Sequence, residues 1–180
     1  MPSPLAPRPV EIRNAHRRLR FSRQAVAAAV AVLDTHAATF RGGCPPGELS
    51  IVFLTDPALA KIHADFMRNP AVTDVITFAG NATAGLAGEI CISADMAARY
   101  VGLPPPDKLG AHRSRPARRQ APALQEEFSM ELTLYLIHGW LHLAGYDDLQ
   151  AGKKRLMRAA EKRAMAWLRK EKALPVFHLA

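Results

Sequence analysis

One apolar segment constrains the fold more than any other part of the sequence: residues 123–143, which read ALQEEFSMELTLYLIHGWLHL. This composition predicts a helix of about six turns, whose Leu, Ile and Phe side chains need a core to cover them. The acidic residues Glu126, Glu127 and Glu131 interrupt the segment, which therefore lacks the ~18 consecutive apolar residues of a membrane-spanning helix. We predict that this helix lies inside a globular protein.

The composition of the whole chain is that of a globular protein. It has 180 residues, of which 49% are hydrophobic and 22% are charged. This length suits one domain over residues 1–180. The N-terminal stretch MPSPLAPRPVEIRN lacks the apolar region of a secretory signal. We therefore expect a cytoplasmic protein without a membrane partner.

The other patterned segments predict an α/β (α+β) fold with a small, mixed, four-stranded sheet and about five helices. Short apolar and β-branched runs predict strands at PVEIR (9–13), LSIVFLT (49–55), TDVITFA (73–79) and GEICIS (88–93). The loop before the last strand is short enough for antiparallel pairing with the strand that precedes it. Capping residues and apolar periodicity predict helices that begin at Ser22, Asp56, Ser93, Ala123 and Leu149.

Residues 104–122, PPPDKLGAHRSRPARRQAP, do not fit this pattern of strands and helices. The segment is rich in proline, basic and without hydrophobic periodicity, and it is longer than an ordinary connection. We predict a mobile basic insertion at this position.

Charge is distributed unevenly along the chain, whose net charge is +8. Residues 1–23 carry six Arg against one acid, and residues 151–180 carry nine Lys or Arg against two acids. Residues 123–150, in contrast, carry five acids and neither Lys nor Arg. Basic ends around an acidic centre suit an enzyme that binds a nucleic acid and also holds a cation. The alternative is a solvated helix face together with a basic loop.

The segment HGWLHLAGYDD places His138, His142, Gly145 and Asp148 at i, i+4, i+7 and i+10. Residues four positions apart lie on the same face of a helix, so both histidines can bind one cation. Zinc requires a distance of roughly 2.0–2.1 Å between the metal and each imidazole nitrogen. Gly145 can adopt the left-handed conformation that ends a helix, so that Asp148, or else Asp147, reaches the same ion. Three protein ligands leave a position for water, as in catalytic zinc sites.

The alternative for these histidines is a pair of core residues that bind no metal. The glycine at the helix end and the acids just beyond it favour a metal site. Two histidines and one carboxylate do not select zinc over iron, manganese or nickel, and zinc is the first choice. Cys44 and Cys91 are far apart and form no CxxC pair, so we predict that both are inert core thiols.

The same histidine spacing occurs in zincin-like helices, including the metzincin pattern HExxHxxGxxH, in which the Glu is the general base. This chain has Gly139 at the position of that Glu. Loss of a general base typically costs on the order of 10²–10⁴ in rate, which disfavours a peptidase. Glu131, two helical turns before His138, is a candidate partner or base; the alternative is an acid in a salt bridge.

HGWLHLAGYDD resembles the HGxLHLxGYDH signature of the YbeY family, bacterial endoribonucleases that are specific for single strands and act in ribosomal RNA maturation and ribosome quality control. TDVITF (73–78) and GEICIS (88–93) resemble two strands of that family, TDVLSF and GDIxIS. The resemblance covers most of the chain apart from 104–122 and the two ends. It implies a zinc-dependent endoribonuclease that processes the 3′ end of 16S rRNA. Its implied partners are single-stranded and ribosomal RNA and the ribosome, and DNA is not expected.

The resemblance also implies roles for individual residues. His138, His142 and Asp148 correspond to the metal ligands, although the family has a third His where this chain has Asp148. The family's functionally important Arg, six residues before the Thr of TDV, corresponds to Met67, and Arg68 is next to it. His138 and Arg68 are the expected catalytic residues, with Arg68 holding the phosphate.

Two other functions fit the same residues. One is a metallopeptidase or another metal-dependent hydrolase. The other is a ribosome assembly factor without catalytic activity, in which the metal is structural and the basic residues bind RNA.

Overall fold

The computed structural model describes residues 7–103 and 121–180. Within these residues the chain forms six strands and five helices. The strands are β1 (Val10–Asn14), β2 (Leu19–Phe21), β3 (Glu48–Leu54), β4 (Val75–Ala79), β5 (Leu86–Ser93) and β6 (Phe177–Leu179). The helices are α1 (Arg23–Thr35), α2 (Asp56–Met67), α3 (Ala94–Tyr100), α4 (Ala121–Leu143) and α5 (Ala151–Lys170).

Four strands form the central sheet in the order β1-β3-β5-β4. The first three are parallel, and β4 runs antiparallel to β5, with Val75 opposite Ile92. The predicted mixed sheet and its antiparallel pair are therefore confirmed. Five of the seven residues of β3 are buried, which agrees with its continuous apolar sequence.

A second, two-stranded sheet was not predicted. In it β2 pairs antiparallel with β6, and Phe21 lies opposite Phe177. Strands of three residues are too short to show an alternating pattern, so the sequence predicted only four strands. The rings of Phe21, Phe53 and Phe177 pack against one another with centroids 4.7–5.4 Å apart, which joins this small sheet to the core.

Side-chain caps explain where three of the helices begin. The hydroxyl of Ser22 accepts a hydrogen bond from the N–H of Ala25, and Ser93 caps α3 in the same way. The cap of α2 is Thr55, whereas the sequence predicted Asp56, which is instead the first helical residue. α5 begins at Ala151, two residues after the predicted start at Leu149.

The predicted insertion at 104–122 lies outside the described residues except for its last two positions. Residues 121 and 122 belong to α4, so this helix begins two residues before the predicted Ala123. Proline is acceptable there because the first turn of a helix has no internal partner for its N–H. No helix in the two described stretches is both long and apolar enough to cross a membrane.

α4 is the central helix, as its apolar sequence predicts. Phe128, Leu132, Leu136 and Trp140 are fully buried, and the helix packs against β4, β5 and α5. The indole N–H of Trp140 donates to Asp34 at 3.2 Å, which anchors the end of α4 on α1. This end of α4 carries both candidate metal-binding histidines.

The two cysteines are buried, as predicted. Burial raises the pKa of Cys44 to about 11 and that of Cys91 to about 12. Both side chains are therefore protonated near neutral pH and are inert thiols.

Candidate metal centre

The last two turns of α4 bring the two histidines together. Their Nε2 atoms lie 2.9 Å apart. Asp148 completes the group, because its two carboxylate oxygens lie 3.9 Å from the Nε2 atoms of His138 and His142. Atoms that each lie about 2.0–2.2 Å from one ion can be no more than about 4.4 Å apart. These separations are thus compatible with one shared ion.

The Nδ1 atoms of both histidines have acceptors. The Nδ1–H of His138 donates to Oε1 of Glu161 at 2.6 Å, and that of His142 donates to the carbonyl oxygen of Tyr146 at 3.1 Å. A histidine that donates from Nδ1 presents the lone pair of Nε2, which is the form that binds a metal. Glu161 on α5 and the turn after α4 therefore orient both rings toward one point.

A turn after α4 brings Asp148 back toward the helix. Gly145 has φ +82°, as the sequence predicted for the residue that ends the helix. Arg41 holds this turn from outside, because it donates to the carbonyl oxygen of Gly145 at 2.7 Å and its guanidinium lies 4.5 Å from the centre of the Tyr146 ring. Arg41 therefore helps to hold the turn that places Asp148 beside the two histidines.

Asp147, the other acid considered as a ligand, is held elsewhere. Its carboxylate accepts from the N–H of Leu149 at 3.0 Å and from the ammonium group of Lys153 at 2.7 Å. The hydrogen bond from Lys153 lowers the pKa of Asp147. Asp148, and not Asp147, thus shares the position of the histidine pair.

The two imidazoles have opposite pKa shifts. Burial lowers the pKa of His142, and the neighbouring His138 lowers it further. Burial also opposes a charge on His138, but the hydrogen bond and negative charge of Glu161 outweigh it and raise its pKa. His142 therefore stays neutral, as a metal ligand must, whereas a cation has to displace any proton held on His138.

The chemistry of the donors fits a first-row divalent metal. Two imidazole nitrogens and one carboxylate oxygen are a set that zinc, iron and manganese all accept. His138, His142 and Asp148 would hold the ion, which would supply a Lewis acid and a water of lowered pKa. In the described part of the chain, no other group of three His, Cys, Asp or Glu side chains comes this close together.

The three donors open onto a cleft of about 750 Å³. Its other walls are α2, β4 with the two residues before it, and the start of β5, and they include His63, Met67 and Asp74. Arg68 does not line this cleft: it is exposed, caps the C-terminal end of α2, and has φ +54°. The structure therefore brings three of the four expected site residues together and places Arg68 outside the cleft wall.

Gly139 lies where α4 packs closely on the sheet. A Cβ atom on this residue would lie 2.4 Å from Cγ2 of Ile90 and 3.2 Å from the hydroxyl of Thr77. The position has no room for the Glu of the metzincin pattern. This steric limit disfavours the peptidase alternative more directly than the absence of the Glu in the sequence does.

The acid that contacts His138 is Glu161, which the sequence did not indicate. Glu131, the candidate from the sequence, borders a separate groove with Tyr100 and Met130, and burial raises its pKa. Glu161 is 23 residues beyond His138, on another helix, so spacing along α4 could not have revealed it.

Replacing Glu161 with Gln should weaken metal binding about 10- to 100-fold, the usual effect of removing the group that orients a histidine ligand. The measurement is competition for the metal with a chelator of known affinity. Glu171→Gln is a matched control, because Glu171 makes the same 2.6 Å bond to a histidine, His36, away from the cleft. Equal metal affinity in Glu161→Gln and the control would contradict the assigned role of Glu161.

These features define a small α+β protein that carries a candidate site for one metal ion beside a cleft. A family model described as Endoribonuclease YbeY matches residues 11–102 and 114–169. This match spans more than half of the chain. The protein belongs to the YbeY family.

Individual relatives agree with this assignment. The Endoribonuclease YbeY of Chlamydia pneumoniae is 34% identical over 132 residues, which are 71% of this chain and 73% of that protein. The Endoribonuclease YbeY of Protochlamydia amoebophila is 32% identical over 129 residues, 68% of this chain and 71% of that one. The solution structure of TM1509 from Thermotoga maritima, 18% identical, shares the fold with a TM-score of 0.52 over 90% of each chain.

Proposed function

We propose that this protein is a metal-dependent endoribonuclease that cleaves single-stranded RNA. The observation that carries the proposal is the convergence of His138, His142 and Asp148 on one cleft, in a chain of the YbeY family. The physiological substrate is ribosomal RNA, including the 3′ end of 16S rRNA, and the protein acts in rRNA maturation and ribosome quality control in the cytoplasm. One domain spans residues 1–180, and zinc is the resident metal.

The chemistry of the cleft supports a phosphodiester substrate. Cleavage of a phosphodiester builds up negative charge on its oxygens, and a bound divalent metal supplies a positive charge to meet it. His138 and His142, held by Glu161 and the carbonyl oxygen of Tyr146, would keep that charge in position before the substrate binds. A single strand, whose bases are unpaired, can bend into an open cleft more readily than a stiff duplex can.

The surface next to the site supports an anionic polymer as the substrate. α5, which supplies Glu161 to the metal centre, carries Lys154, Arg155 and Arg158 on its exposed side. Exposed basic side chains attract the phosphates of RNA without reading its sequence, and this attraction weakens as the salt concentration rises. Arg68, which is exposed at the end of α2, is proposed to add to this attraction and not to contact the reacting phosphate.

The alternative of an assembly factor with a structural metal remains a distinct proposal. Structural zinc sites generally have four protein ligands, whereas this group has three and opens onto a cleft. The donor set therefore favours catalysis.

The proposal is tested with one labelled RNA offered to the metal-loaded protein in two forms, single-stranded and annealed to its complement. We expect cleavage of the single strand at least about 10-fold faster than cleavage of the duplex, since a flexible strand with unpaired bases can bend into the cleft and a stiff duplex cannot. A His138→Ala preparation purified in parallel controls for contaminating nucleases. Equal cleavage by parent and control, or none by either, would exclude the proposed activity.

A further inference from the structure

Among the described residues that line the cleft, one basic side chain lies outside the candidate metal group. The described residues that line the cleft include Asp74, Asp147 and Asp148 but neither Lys nor Arg. Apart from the candidate ligands His138 and His142, the single basic residue among these lining residues is His63 on α2. A phosphodiester that enters would meet these acids, so it needs a positive partner besides the metal.

The ring of His63 is held by one backbone contact. Its Nδ1 lies 2.8 Å from the carbonyl oxygen of Ala71, an atom that can only accept, so Nδ1 carries a hydrogen. Nε2 is then the ring nitrogen left for a ligand. A hydrogen on Nε2 would let this nitrogen donate to an oxygen of a phosphate group.

We propose that His63 binds a phosphate group of the RNA backbone through Nε2, opposite the metal centre. This inference rests on the proposed ribonuclease function and adds a substrate-binding residue to it. Met67, one turn further along α2, also lines the cleft but carries no charge, and Arg68 lies outside the lining. His63 is thus the residue of α2 that can place a hydrogen-bond donor in the cleft.

Two substitutions of His63 distinguish the role of Nδ1 from the role of Nε2. In His63→Asn the side-chain amide can replace Nδ1 and keep the bond to Ala71, but nothing replaces Nε2. In His63→Gln the amide reaches the position of Nε2, and the bond to Ala71 is lost. A purely structural role predicts that Asn is tolerated and Gln is not, whereas phosphate binding predicts the reverse order.

The experiment measures kcat/KM on a single-stranded RNA together with metal content and thermal unfolding. We expect His63→Asn to lower kcat/KM about 10- to 100-fold, as for loss of one hydrogen bond to a charged group, and His63→Gln to lose less. His63→Arg should recover much of the loss because it restores a charged donor. Metal content should stay at the parental value, and His178→Ala, on the exposed side of β6, should change nothing.

Each other outcome overturns the inference. If the parent cleaves RNA and His63→Asn cleaves as fast, His63 does not bind the substrate, and the proposed function stands. If His63→Asn loses metal in proportion to activity, His63 is a metal ligand instead. If the parent itself does not cleave RNA, both the proposed function and the role of His63 fail.

Discussion

Substitution of either histidine of α4 by alanine should abolish metal binding. With His138→Ala or His142→Ala, two donors remain of three, and we expect metal content to fall from about one equivalent per chain to almost none. RNA cleavage should fall at least about 10³-fold, since a catalytic metal contributes several kcal/mol of charge stabilisation. Metal content is measured by native mass spectrometry.

The effects of the two substitutions on stability should differ. Both side chains are half-buried, and the apolar residues of α4 hold the helix in place. His138→Ala also leaves the carboxylate of Glu161 without its partner, which should cost about 1–3 kcal/mol in the metal-free protein. His142→Ala leaves only a backbone carbonyl and should cost less. A full equivalent of metal in both variants would show that the site has been assigned to the wrong residues.

Substitution of Gly139 should destabilise the protein in proportion to the size of the new side chain. An added Cβ would lie 2.4 Å from Cγ2 of Ile90, so Gly139→Ala should cost about 1–2 kcal/mol after the gain in helix propensity. This loss corresponds to a fall of roughly 2–8 °C in Tm for a chain of this size. Gly139→Glu, which introduces a buried charge at the same place, should prevent stable folding.

The control for this prediction is Gly152, near the start of α5. A Cβ atom there would meet nothing within 4 Å. Gly152→Ala should therefore be neutral or slightly stabilising, and Gly152→Glu should fold normally. If Gly139→Glu folds as well as Gly152→Glu, then α4 does not pack on β5 as closely as the structure shows.

Local patterns in the sequence predicted the candidate metal ligands that lie on or just after α4. His138 and His142 follow from helical spacing, and the left-handed conformation of Gly145 follows from its place at the helix end. The central sheet could be predicted for a similar reason, because each of its strands is long enough to show an apolar run. The pattern that identifies these candidate ligands is local, since it runs only from His138 to Asp148.

Residues that meet the site from distant parts of the chain left no such pattern. Glu161 is 23 residues from His138, and Arg41 is 104 residues from Gly145, so only packing brings these side chains together. His63 had no distinguishing neighbours in the sequence, and its place in the cleft wall depends on how α2 lies against the sheet. The β2–β6 pair was missed because its strands have only three residues each and lie near opposite ends of the chain.

The central claim is that a single metal ion held by His138, His142 and Asp148 makes this protein a ribonuclease. Removal of metal with a chelator, followed by titration with Zn²⁺ or Mn²⁺ under a single-stranded RNA cleavage assay, tests it most directly. We predict that cleavage disappears on removal and returns in proportion to metal, reaching its maximum at one equivalent per chain. Cleavage that persists in fully metal-free protein would contradict the claim.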